Sequence, residues 1–279
     1  MEYQRKSIGI CSYAFRYSIG TKSFKPVQPF TVFDFIDKAN RLGYGRALIF
    51  DNLNSQDFDE KLCAQIGERL SCYDMSAVYG LKHLTEDTFE KYLPLAKIMN
   101  AESLRFSIPL AKGAGYRETL SRARKIIMDN IYRIEEAGIT IGIENHFDLQ
   151  TSCLVELVDL IGHPLVKHVC DTTNSIAFIE KPIDTLHKMK KNLYCMHIKD
   201  FVFEKPEAGY FMNGTILGKG SQSVKEILKY AFQYNPDVKI GLEMTIKRPD
   251  NIDDVQVTSW EIDCIEKSTK ELFAILDSM

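Results

Sequence analysis

Residues 139–171 read ITIGIENHFDLQTSCLVELVDLIGHPLVKHVCD. The run opens on a short apolar stretch, ITIGIEN (139–145), of the kind that forms a buried strand. It ends abruptly in a carboxylate, an amide and an imidazole: Glu144, Asn145 and His146. A segment of helical period follows, and then a second apolar run, VKHVCD (166–171), which also closes on a carboxylate. A strand joined through a helix to another strand implies parallel pairing, because that crossover needs a dozen or so residues. A buried polar group without a partner costs on the order of 2–7 kcal/mol. Glu144 therefore meets either a salt-bridge partner or a metal and a substrate.

The same unit recurs in both directions. Strand candidates precede it at 7–13 (SIGICSY), 46–51 (RALIFD), 74–80 (DMSAVYG) and 102–108 (ESLRFSI), and follow it at 193–200 (LYCMHIKD) and 238–244 (VKIGLEM). Helical segments alternate with them. The clearest runs from Glu118 to Ala137, with Leu120, Ala123, Ile127, Ile131 and Ile134 on one face, and the last from Ser259 to Leu276. Eight strands, each followed by a helix and with no linker dividing them, predict an α/β chain folded as one (β/α)8 TIM barrel over residues 1–279; such barrels take about 250 residues. The competing doubly wound sheet usually carries a G-x-G-x-x-G turn after its first strand, and CSYAFRYSIG has none.

Composition excludes several classes. Lys and Arg total 35 against 38 Asp and Glu, a net charge of -3, so no basic surface for nucleic acid is expected. The seven cysteines contain no C-x-x-C pair and are odd in number, which points to a reducing, cytoplasmic setting rather than a disulfide framework. No run approaches the ~18 apolar residues of a membrane span, and the N-terminus lacks a signal-peptide core.

In a barrel the active site assembles at the C-terminal strand ends. The last four strands end in Glu144, Asp171, His197 and Glu243. Side chains alternate along a strand, so Gly142 and His146 share the inward face with Glu144, Thr173 with Asp171, and Lys199 with His197. The layer beneath the four polar residues is Gly142, Val169, Cys195 and Gly241, small enough to leave a cavity above it. One carboxylate at a strand end is ordinarily a salt bridge or a helix cap. Three of them converging with a histidine in one register repel one another unless a divalent cation joins them. That oxygen/nitrogen set suits Mn²⁺, Mg²⁺, Co²⁺ or Zn²⁺ and leaves coordination positions for substrate oxygens.

The stretches IGIENH, LVELVDLI, VKHVCDTTNS, MHIKD, LGKGSQSVKEIL and IGLE resemble the xylose isomerase-like TIM barrels, sugar isomerases and epimerases that include inosose isomerases and ketose 3-epimerases. The resemblance is close over residues 139 to 243 and only a β/α pattern before them. It implies one divalent metal ion, manganese first, held by Glu144, Asp171, His197 and Glu243, with Glu144 and Glu243 also serving as the acid/base pair. It implies a carbohydrate substrate, free or phosphorylated, taken through an enediolate to an isomer or epimer. A dehydratase or other lyase on a keto-polyol or sugar acid is the alternative on the same scaffold. The family's DNA-repair nucleases carry additional histidines, whereas Asn174 stands here where they have one and His83 alone lies near the second and third strands. A nuclease or a non-catalytic sugar-binding barrel is the weaker reading. A small-molecule partner is expected, with no nucleic acid or membrane, and homo-oligomerisation is left open.

Secondary candidates lie around the same mouth. His146 and Lys199 face inward by parity, with a solvated rim charge as the competing reading for Lys199. Arg105 holds a substrate carboxylate or phosphate or closes a salt bridge; Asn174 contacts substrate or caps a turn; Tyr13 lines the pocket or packs in the core. Asp200, of opposite parity to His197, is expected to support backbone. The segment from Phe201 to Ser221 reads as a long lid loop carrying Phe203, Tyr210 and Phe211, with Gly218-Lys219-Gly220 as a candidate phosphate contact.

Overall fold

A computed structural model describes residues 5–110 and 113–279. Its eight parallel strands are β1 (Ile8–Cys11), β2 (Arg46–Ile49), β3 (Ser76–His83), β4 (Ala101–Ser107), β5 (Thr140–Glu144), β6 (Val166–Asp171), β7 (Leu193–Ile198) and β10 (Lys239–Leu242). They close in the order β1-β10-β7-β6-β5-β4-β3-β2, with helices outside, so the chain is a (β/α)8 barrel. The strands are buried on both faces, which is why they read as unbroken apolar runs.

Register places the strand ends in steps. Glu144 on β5 lies level with Ser107 on β4 and Val169 on β6. Asp171 lies two residues further up and level with His197, and His197 is level with Gly241. Glu243 therefore stands two residues above His197. The shear of a closed barrel makes the two steps, from Glu144 to Asp171 and from His197 to Glu243, and gathers all four at one mouth.

Three boundaries differ from the pattern in the sequence. The 118–137 periodicity is two helices, Tyr116–Asp129 and Ile131–Ala137, parted at Asn130, whose amide side chain bonds Ile126 O at 2.9 Å. The C-terminal helix spans Asp254–Asp277, five residues earlier than Ser259, because Asp253 and Gln256 form a capping box. The long loop after β7 is a hairpin, β8 (Asp200–Glu204) paired antiparallel with β9 (Phe211–Thr215), so the exposed Phe203 and Phe211 stand on paired backbone, with Tyr210 in the connecting turn.

Room inside the barrel is partly taken by β2. Arg46, Leu48 and Phe50 all point inward, and Leu48 lies where Cβ atoms at Gly9 and Gly241 would sit. Phe50 does the same at Gly80. The small layer is thus a packed floor, and the open space lies above it.

Candidate metal centre

Glu144, Asp171, His197 and Glu243 are all buried, and each offers a ligand atom such that these atoms lie within 4.8 Å of one another. His197 Nδ1 is 2.8 Å from Glu144 Oε1 and 3.3 Å from Glu243 Oε2. Glu144 Oε2, Asp171 Oδ2 and Glu243 Oε2 are buried and accept no well-directed hydrogen bond, each meeting a basic side chain instead: Arg105, Lys199 and His197 respectively. Three carboxylates converging with one imidazole at a single buried point form a donor set that fits a divalent ion.

Local backbone explains why Asp171 presents one oxygen. Its Oδ1 accepts from Thr173 N at 2.8 Å, Asn174 N at 2.9 Å and Thr173 Oγ1 at 3.1 Å. Oδ2 is left to face the centre. Asn145 fastens this turn to β5: Asn145 Oδ1 accepts from Asp171 N at 2.7 Å and Asn145 Nδ2 donates to Asp171 O at 2.9 Å. The side chain of Asn174 donates to Asn145 O at 3.1 Å.

Two cations sit among the acids. Arg105 on β4 pairs with Glu144 Oε2 and donates to Leu81 O at 3.2 Å. Lys199 Nζ lies 2.7 Å from Asp171 Oδ2 and 2.8 Å from Glu243 Oε1. Lys199 is only 8% exposed, so it is no solvated rim charge. Burial opposes ionisation of Glu243, but Lys199 and His197 overcome it and hold the carboxyl well below its usual range. Burial likewise works against a charged Lys199, and Asp171 and Glu243 reverse that, raising its pKa.

A cavity of about 250 Å³ opens above these groups. Tyr13, Arg105, His146, Asn174 and Lys199, the five residues expected near substrate, all line it. Tyr13 OH reaches Asp51 at 3.2 Å, and burial followed by the Asp51 charge raises its pKa. His146 Nδ1 is 3.4 Å from Asp148, and burial together with Arg105 lowers its pKa. Asp200 faces away from the cavity into the hairpin base. Its carboxylate accepts from the amides of Phe201, Gly218, Gly220 and Gln222 at 2.8–3.1 Å. Those amides are turned to Asp200, so Gly218-Lys219-Gly220 forms no phosphate cradle.

Asn145 and Phe50 are absent from the sequence-derived site. Phe50 packs 5.6 Å from the His197 ring and lies under the Arg105 guanidinium at 4.6 Å. The signal for Phe50 was present, since period-2 parity over RALIF turns Arg46, Leu48 and Phe50 inward together. Asn145 points away from the barrel axis by the same parity and carried no such signal.

Searched against protein-family models, the chain matches none. It is 23% identical over 216 residues to 3-oxo-isoapionate decarboxylase of Pectobacterium atrosepticum, covering 77% of this chain and 76% of the relative. A D-psicose 3-epimerase structure determined in the presence of D-fructose superposes with a TM-score of 0.71 at 14% identity, covering 96% of each chain. A xylose isomerase-like TIM barrel protein from Mycobacterium smegmatis in complex with magnesium superposes with a TM-score of 0.60 at 11% identity, covering 96% of this chain and 99% of that one. The structural neighbours are xylose isomerase-like TIM barrels, and this chain has their fold.

Proposed function

We propose that the protein is a divalent-metal-dependent isomerase or epimerase acting on a sugar, sugar phosphate or keto-polyol by proton transfer through an enediolate. The observation that carries this reading is the cluster itself: three buried carboxylates and His197, with ligand atoms within 4.8 Å of one another, beneath a cavity of about 250 Å³. Glu144, Asp171, His197 and Glu243 would hold the ion, manganese being the first candidate. When bound, it supplies Lewis acidity toward the oxygens of a hydroxy-carbonyl compound. Glu243, kept ionised by Lys199 and His197, is the group suited to take a proton from carbon. Glu144 approaches from β5, three strands around the barrel, and serves the opposite side of the same carbon. Tyr13, His146 and Asn174 line the cavity as hydroxyl contacts. Unpaired cysteines suit a cytoplasmic protein, and no described helix is long and apolar enough to cross a membrane.

The test is carbon-bound hydrogen exchange in D₂O with Mn²⁺ across ketoses, inososes and their phosphates. Exchange that disappears in both Glu144→Gln and Glu243→Gln supports the assignment; near-normal exchange in either, with metal still bound, removes it from proton transfer.

A lyase reading has its own support. Two buried cations stand among the ligands, and a curated relative is named as a decarboxylase. Loss of CO₂ from a 3-keto acid would pass the electron pair of the broken C–C bond onto the ketone and leave an enolate in the same place. Release of CO₂ without C–H exchange from ketoses would favour it.

A further inference from the structure

We infer that the substrate is a keto acid whose carboxylate lies next to the reacting carbonyl, and that Arg105 and Lys199 receive that carboxylate. This rests on the metal-dependent reading above and narrows its substrate.

The charges decide it. Glu144, Asp171 and Glu243 contribute three negative charges, and Arg105 and Lys199 contribute two positive ones, leaving one negative charge. A divalent ion turns that balance to one positive charge in a buried site. A neutral sugar leaves this charge uncompensated, whereas a monoanion cancels it. The remaining ionised groups on the cavity wall, Asp51 and Lys82, offset each other, so among the described residues no surplus cation lines the cavity for a phosphate.

Donor capacity points the same way. Lys199 Nζ has three protons and two carboxylate partners, leaving one proton uncommitted. Arg105 is 7% exposed, and its Nε has no hydrogen-bond partner. Both cations touch ligand carboxylates directly, so an anion they neutralise must lie within a bond or two of the chelated oxygens. A phosphate at the far end of a hexose chain is roughly 5 Å further out. The recognised group is therefore a carboxylate at the reacting end.

The test uses 2-keto-D-gluconate, D-fructose and D-fructose 6-phosphate, which share the C2 ketone and differ in where the charge lies. Their affinities are measured by calorimetry with saturating Mg²⁺, independently of turnover. The keto acid is expected to bind about tenfold tighter than fructose, and fructose 6-phosphate no tighter than fructose. Lys199→Met should remove that preference, and Lys199→Arg should keep it. Equal affinities, tighter fructose 6-phosphate, or no binding of the keto acid would overturn the inference. Fructose exchanging its C–H hydrogen without a keto-acid preference would sink this inference and leave the proposed function standing. Failure of any divalent ion to bind would instead remove the proposed function.

Discussion

Asn145 and the backbone of Asp171 bond each other twice, at 2.7 and 2.9 Å, locking the ends of β5 and β6 together. Asn145 hydrogen-bonds none of the carboxylates and does not line the cavity, yet it sets where Asp171 stands. Outer contacts of this kind typically govern metal affinity by 10- to 100-fold. Asn145→Ala should weaken Mn²⁺ binding by roughly that factor, measured by calorimetry. An unchanged affinity would show that the β6 turn holds Asp171 unaided.

Lys199 is the counter-ion of Asp171 and Glu243 in the structure described. Removing one partner of a buried ion pair costs about 3–5 kcal/mol. Lys199→Met should therefore lower the melting temperature of chelator-treated protein sharply. Mg²⁺ should restore most of the loss, because the ion takes over the charge balance. Equal destabilisation with and without Mg²⁺ would mean that the lysine's packing, and not its charge, is what matters.

His168 is buried, and its Nδ1 has no hydrogen-bond partner. Burial pushes its pKa down to about 4 from 6.5. The unfolded chain takes up a proton near pH 6.5 and the folded chain resists until about pH 4. Stability is thus complete above that range and falls as pH drops through it, by about 2 kcal/mol near pH 5. Glu261 opposes this: burial raises its carboxyl to about 7, so its contribution is complete at low pH and falls as pH rises from 4.5 to 7. Denaturation titrations near pH 7 and pH 5 should show a smaller acid-side loss in His168→Leu than in the parent. The same slope in both would exclude His168 as the source.

Gly80 exists for Phe50. A Cβ there would overlap the Phe50 ring, which packs on both His197 and Arg105. Gly80→Ala should cost about 1–3 kcal/mol by overpacking. It should also weaken metal binding, because the displaced ring supports a ligand. Loss of stability with normal Mn²⁺ affinity would confine Phe50 to the core.

Of the fold, the strands were legible because each is a short apolar run buried on both faces, and the helices between them because their apolar residues recur at helical spacing. Boundaries failed where side chains decide them. Asn130 divides one periodic stretch, and the Asp253–Gln256 box starts the last helix early. The hairpin Asp200–Glu204/Phe211–Thr215 stayed hidden because Gly218, Gly220 and Gln222 gather on a carboxylate some twenty residues away in the chain.

For the site, period-2 alternation and position at strand ends were enough to single out Glu144, Asp171, His197 and Glu243, since both properties are local to each strand. What tertiary structure alone decided is which charges meet. Arg105 finds Glu144, and Lys199 bridges Asp171 and Glu243, only once the barrel closes with its particular shear. Phe50 fills the place of a missing side chain at Gly80 by the same closure. Distances between strands remote in sequence are set by how the sheet wraps, and no spacing along one strand encodes them.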